Sequence, residues 1–162
     1  MKPGPVVHPF PAFVRADSKI LILGSFPSVK SREQRFFYGH PQNRFWRVLA
    51  ALFDAPVPQT IPEKCALLEQ NRIALWDVIG SCTIAGSSDS SITDVVPNDL
   101  QPILDAAPIE RIFVNGKTAE RCYIRYTEPV IGRKAIVLPS TSPANAACSL
   151  QRLIEQWRMI KM

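Results

Sequence analysis

Lys19-Ile20-Leu21-Ile22-Leu23 is an unbroken apolar run behind a single lysine, and Gly24 stops it. A strand with one face in the core alternates apolar and polar residues, whereas a strand covered on both faces does not alternate. The run therefore predicts a strand of a parallel sheet with helices above and below. Moving outward, Phe45, Trp46, Val48, Leu49, Leu52 and Phe53 fall on one face of a helix that Pro56 and Pro58 end. A second helix is expected over 63–70. Ile73-Ala-Leu-Trp-Asp-Val78 is a second strand, and 80–91, rich in Gly, Ser and Thr, reads as a long loop of the kind that often carries function. Beyond it come a helix over 98–105, a third strand at Arg111-Ile-Phe-Val114 and a helix over 118–126. A fourth strand at Lys134-Ala-Ile-Val-Leu138 and a closing helix over 150–159 complete the series.

Alternating strands and helices joined by right-handed crossovers specify an α/β fold, here a three-layer α/β/α sandwich around a central four-stranded parallel sheet. With 162 residues and 46% hydrophobic content the chain suits one domain, spanning 1–162, in which 1–18 is a proline-rich N-terminal segment. No apolar run approaches the ~20 residues of a membrane span, and 1–11 lacks an apolar signal core. A cytoplasmic protein with no membrane partner is the expectation. Nineteen Lys and Arg against fourteen Asp and Glu leave +5, a sign suited to an acidic partner without specifying one. Cys65, Cys82, Cys122 and Cys148 form no close pair of the kind that nucleates a metal site, so they read as buried reduced thiols and no metal is expected.

Open parallel sheets bind ligands beyond the carboxyl ends of their strands. At those ends stand Gly24-Ser-Phe-Pro-Ser28, a loop running to Tyr38-Gly-His-Pro-Gln-Asn43, Asp77, Asn115-Gly-Lys-Thr118 and Pro139-Ser-Thr-Ser-Pro-Ala-Asn145. All are polar, and two carry proline-stiffened turns, as a rigid site for a planar polar ligand requires. Each has a plainer reading. Asn43 stands where an N-cap would serve the helix behind it. Ser140, Thr141 and Ser142 can satisfy turn backbone. His40 can be a packed, hydrogen-bonded histidine. Gly116-Lys117-Thr118 resembles the end of a phosphate loop, but the first glycine of that motif is missing.

Taken together, Gly24-Ser-Phe-Pro-Ser28, Tyr38-Gly-His-Pro-Gln-Asn-Arg-Phe-Trp46 and Leu138-Pro-Ser-Thr-Ser-Pro-Ala-Asn145 resemble the uracil-DNA glycosylase superfamily. The set is most similar to its hypoxanthine-DNA glycosylase (DNA-deoxyinosine glycosylase) branch. Departures are visible too. Phe26 stands where most branches place a water-orienting Asn or Asp, Ser140 where they place a His or Asn, and the small Ala144 where a side chain often wedges into the duplex.

The resemblance implies a monofunctional DNA repair hydrolase that flips a deaminated base, hypoxanthine first, out of the helix and leaves an abasic site. It implies Asn43 as the catalytic residue, with Phe26, Tyr38, His40, Asp77 and Asn115 around the base. Ser140, Ser142 and Lys117, helped by Arg44 and Arg47, would grip the phosphates. DNA carrying the lesion is the expected partner, and the enzyme is expected to act as a monomer without a cofactor. Asn43 could orient water through its oxygen or donate through its nitrogen, and Asp77 could read the base or hold the water. A uracil or broad deaminated-base glycosylase, a non-catalytic lesion-binding module and a flavodoxin-like nucleotide-binding protein remain the alternatives.

Overall fold

Every residue of the run at 20–24 is buried, and Leu21, Ile22 and Leu23 expose none of their surface. The computed structural model describes residues 4–161, so the first three residues of the proline-rich segment lie outside it. The described elements are β1 (Val6–Val7), β2 (Ile20–Gly24), α1 (Val29–Gln34), α2 (Phe45–Leu52), α3 (Ile61–Gln70), β3 (Ile73–Asp77), β4 (Ile79–Thr83), β5 (Thr93–Pro97), α4 (Gln101–Ala106), β6 (Arg111–Asn115), α5 (Lys117–Cys122), α6 (Glu128–Ile131), β7 (Ile136–Leu138) and α7 (Leu150–Trp157).

Four strands form the expected parallel sheet, in the order β3-β2-β6-β7. Successive residues of β2 serve opposite layers, as the pleat dictates. Ile20 and Ile22 join Phe45, Leu49 and Trp157 on one face, and Leu21 and Leu23 join Ile103, Ala119 and Tyr123 on the other. Burying each such aliphatic side chain is worth about 1.5–3 kcal/mol, which explains why the strand tolerates no polar residue. Two core clusters divided by one sheet make the three-layer sandwich. No helix among the described residues is long and apolar enough to cross a membrane.

Three features differ from the sequence reading. The stretch 80–91 is not wholly loop: β4 occupies its start and pairs antiparallel with β1 and β5 in a second, three-stranded sheet. Only Ile79 and Cys82 of β4 are buried, and its register with β5 shifts twice, so the strand carries almost no apolar signature. Helix α1 is six residues, mostly polar; Ser28 accepts from the Ser31 amide to start it, and Arg35 at φ 58° ends it. The helix expected over 118–126 begins one residue earlier and runs on through a π turn at Tyr123–Thr127 into α6.

The proline-rich segment is structural. Phe10 and Phe13 are buried in the core cluster of α2, α3 and α7. Phe13 also exchanges both backbone hydrogen bonds with Leu75, each 2.9 Å, across the open edge of β3. Phe13→Ala is therefore expected to lower stability by about 3–5 kcal/mol in urea unfolding. Val7→Ala, at a site 69% exposed, should stay within about 0.5 kcal/mol.

Candidate active site

Strand β2 connects onward to β3 on one side, whereas β6 connects to β7 on the other, so the connections diverge between β2 and β6. A crevice must open where they do. A cleft of about 510 Å³ lies there, lined by Gly24 at the end of β2 with Ser25 and Phe26 behind it, Asp77 at the end of β3, Asn115 at the end of β6 and Ser140 to Ala144 after β7. Tyr38, His40 and Asn43 from the loop before α2, and 87–90 from the serine-rich loop, complete its wall.

The register of β2 on β3 sets Gly24 opposite Asp77. A Cβ added at Gly24 would lie 2.5 Å from Asp77 Oδ1 and 3.2 Å from the Tyr38 hydroxyl, so glycine is what lets both side chains close over the strand end. Asp77 is 4% exposed. Its Oδ2 lies 2.7 Å from Nε2 of His8, which follows β1 and is fixed by its amide donating to the Gly80 carbonyl. His8 Nδ1 is buried without a partner. A buried orphan N–H is costly, so the hydrogen belongs on Nε2, which donates to the carboxylate. Asp77 Oδ1 has no partner among the described residues and faces the cleft.

Tyr38 is held at φ 53°, a left-handed conformation that costs a bulky residue about 1–3 kcal/mol. Its ring stacks on Phe45 with centroids 4.0 Å apart, which offsets part of that cost. Its hydroxyl is buried without a partner in hydrogen-bonding range. Burial first, and the Asp77 charge second, push this phenol far up, so it remains a protonated donor.

The N-cap position expected of Asn43 falls one residue later, on Arg44, which makes no side-chain cap hydrogen bond; Asn43 instead holds the start of the helix from the residue before it. Its Oδ1 accepts from the Phe45 amide at 3.0 Å, in the first turn of α2, and from the Thr141 hydroxyl at 2.9 Å. Because the Phe45 amide can only donate, the oxygen must face it, and both oxygen lone pairs are occupied. Water orientation through that oxygen has no lone pair left to use. Nδ2 has no partner among the described residues, so what Asn43 presents is a donor. Asn115 braces the arrangement, donating Nδ2 to Thr141 Oγ1 at 3.0 Å and accepting the Thr141 amide at 3.1 Å.

Ser140 and Ser142 also serve their turn: each hydroxyl oxygen accepts a backbone amide, from Ser142 and Ala144 respectively, both at 3.1 Å. Each O–H hydrogen is left to donate outward. Arg44 is committed elsewhere. Its guanidinium donates to the carbonyls of Ser142 and Asn145, each at 3.0 Å, and of Cys148, which clamps the loop and takes Arg44 out of the phosphate grip. Gly116, at φ 94°, would place a Cβ 2.9 Å from Ser140 Cβ. That close approach accounts for the glycine before Lys117 without any phosphate loop.

Of the residues expected from sequence, Asn43, Phe26, Tyr38, His40, Asp77, Asn115, Ser140 and Ser142 all line the cleft. Lys117 does not; it is exposed at the start of α5. Phe26 packs beside Ile79, Cys82 and Ile84 with Arg32 over its ring at 5.6 Å. His40 Nδ1 accepts the Gln42 amide. Sequence reasoning missed His8, which no motif marks, and Asp89, whose Oδ1 accepts from the Ser25 hydroxyl at 3.3 Å across the mouth. Desolvation pushes the Asp89 carboxyl above its usual range, and the Ser25 hydrogen bond opposes the shift.

Gly24→Ala tests the closeness of this packing. The new methyl must displace a carboxylate held by His8, and a loss of about 1–3 kcal/mol in thermal unfolding is expected. Gly86→Ala, where a Cβ meets nothing within 4 Å, carries only the strain of φ 60° and should cost less.

Comparison with known proteins places these residues in a family. The chain is 36% identical to the hypoxanthine DNA glycosylase of Methanosarcina acetivorans over 93% of its own length and 95% of that protein. It is 32% identical to that of Methanosarcina barkeri, over 84% and 86%. The solution NMR structure of a candidate uracil DNA glycosylase from M. acetivorans superposes with a TM-score of 0.79 at 34% identity, covering 94% of each chain. The model of the uracil DNA glycosylase superfamily matches residues 11–161, and the chain belongs to that superfamily.

Proposed function

We propose that this chain is a monofunctional DNA glycosylase that hydrolyses the N-glycosidic bond of a deaminated base, hypoxanthine foremost, and leaves an abasic site. One observation carries the reading. One cleft is lined by a carboxylate, Asp77, with Oδ2 committed to His8, and by a carboxamide, Asn43, with its oxygen committed to Phe45 and Thr141, in a chain whose relatives are named hypoxanthine DNA glycosylases. A base inside a duplex must first leave the stack, at a cost of a few kcal/mol that a weak mispair reduces. Stacking on Phe26 at the cleft wall recovers about 1–3 kcal/mol.

Cleavage builds positive charge on the sugar and negative charge on the leaving base. Asn43 meets the second with a preorganised N–H, while Asp77 accepts the imino hydrogen of the base. Asn115 holds the Thr141 anchor of Asn43, and His40 stands at the rim. Ser140 and Ser142 donate to the flanking phosphates, with Lys117 and Arg47 outside the cleft as long-range attraction. No lysine is among the residues lining the cleft, which supports hydrolysis over Schiff-base chemistry and strand cleavage.

Uracil also presents an imino hydrogen, so the deciding measurement is a panel of single-turnover reactions on oligonucleotides carrying inosine, xanthine, uracil or thymine. Inosine is expected to react fastest, with hypoxanthine released, the strand left intact and no loss in chelator. Binding constants should fall with salt at a log–log slope of about 0.7–0.9 per phosphate engaged, and a flat response would remove the proposed grip.

Asn43→Asp separates capping from chemistry. The carboxylate still accepts from Phe45 and Thr141, so melting should be unchanged, but the donor is replaced by a negative charge. A rate loss of about 10²–10³ is expected. Asn43→Ala should in addition lose about 0.5–2 kcal/mol of stability. An Asp variant that turns over at the full rate would leave Asn43 a cap only.

A further inference from the structure

His8 is a buried titratable group that the reaction outlined above does not use. Its side chain is 3% exposed and that of Asp77 5%, yet only Asp77 lines the cleft, so His8 sits behind it. It arrives on a two-residue strand whose sole pairing is with β4, the strand that leaves Asp77. Aromatic rings enclose it: Trp76 at 4.4 Å, Phe10 at 4.5 Å and Phe26 at 6.0 Å between centroids. An imidazole wrapped in this way has one polar contact, Asp77 Oδ2.

The consequence lies at the other carboxylate oxygen. Hypoxanthine carries a hydrogen on the ring nitrogen adjacent to its carbonyl; adenine, from which it arises by deamination, carries a lone pair there. An ionised Asp77 can accept from the first and meets the second with lone pair against lone pair. A protonated Asp77 would do the reverse, donating to the ring nitrogen of adenine. Which base the site reads thus depends on what Oδ1 presents to the ring nitrogen.

We propose that His8 is the specificity-determining residue that makes the site reject adenine: by donating Nε2–H to Asp77 Oδ2 it fixes the carboxylate with Oδ1 turned to the base as the acceptor. That contact fixes the rotation of the carboxylate, so that Oδ2 is committed to His8 and Oδ1 is the oxygen left for the cleft. Two other titratable groups share the field of Asp77, the Tyr38 phenol and the Asp89 carboxylate, and neither supplies a positive charge. His8 is a positioning residue acting through Asp77, and its role rests on the reading of Asp77 as the carboxylate that meets the base.

The test measures single-turnover release from DNA carrying deoxyinosine or deoxynebularine, an unsubstituted purine with a lone pair at the same ring nitrogen. His8→Leu keeps the apolar packing and removes the donor. The inosine rate is expected to fall about 10- to 100-fold, the range of a lost charge-assisted hydrogen bond, while the nebularine rate holds or rises. His8→Gln, which retains an N–H, should restore most of the preference and covers the case in which the leucine variant folds poorly. A parallel fall on both substrates in His8→Leu with no rescue in His8→Gln, or unchanged preference in both variants, would overturn the assignment. Asp77→Asn tests the underlying reading separately. It should lose the preference for inosine. If it keeps that preference, Asp77 does not read the base and the role of His8 falls with it. If it loses the preference and His8→Leu does not, only the assignment of His8 fails.

Discussion

The parallel pairing that brings Gly24 level with Asp77 is the constraint on which the site depends. A sheet ladder fixes its strands to within a fraction of a residue, because a slip of one would turn every buried side chain of β2 to the wrong layer. Asp77 is thus placed by the hydrophobic burial of Ile20 to Leu23, far more strongly than by any contact of its own. The absence of a Cβ at Gly24 then lets carboxylate and phenol close over the strand end. Core packing and site geometry are here one interaction viewed from its two ends.

The second sheet gives the first its chemistry. Without β4 the chain would leave β3 with Asp77 facing only solvent on its outer side, and without β1 there would be no His8 behind it. Small antiparallel sheets of this kind contribute little core: four buried residues, Phe26, Ile79, Cys82 and Ile84, make up the cluster beneath it. Its value lies in enclosure, since low-dielectric walls strengthen each hydrogen bond inside and raise the cost of leaving one unmade.

Asn43 shows how one side chain can be held at one end and left free at the other. A carboxamide has two distinct ends. The oxygen starts α2 and ties it to the turn after β7, while the nitrogen is held out toward the cleft by that same fixation. Thr141, wholly buried, and Asn115 repeat the logic, each satisfying backbone or hydroxyl partners while bracing Asn43. Rigidity of this kind is what allows a single donor to matter, because nothing reorganises as charge develops. Ser140 and Ser142 follow the same pattern at the rim.

Much of this was legible in the residues. Strands β2, β3 and β6 announce themselves because burial on two faces demands continuous apolar runs, and the strand ends of such a sheet are where a ligand must bind, which sufficed to find Asn43, Asp77, Asn115 and the Ser140–Ser142 turn. The second sheet was hidden for the converse reason. Half-exposed, bulged strands such as Ile79–Thr83 impose no period on their side chains, and 80–91 therefore reads as loop. Helix α1 was invisible because its capping partners, Ser28 and Arg35, matter more than its six residues. His8 could not have been found at all. Its neighbour is 69 residues away, and no local pattern records a pairing that only the tertiary fold creates. The sequence alone thus determined the layers and the floor of the cleft, through burial. The His8 contact behind Asp77, the committed end of Asn43 and the use of Arg44 on loop carbonyls were decided by tertiary structure, because a hydrogen bond depends on where its partner stands and not only on what it is.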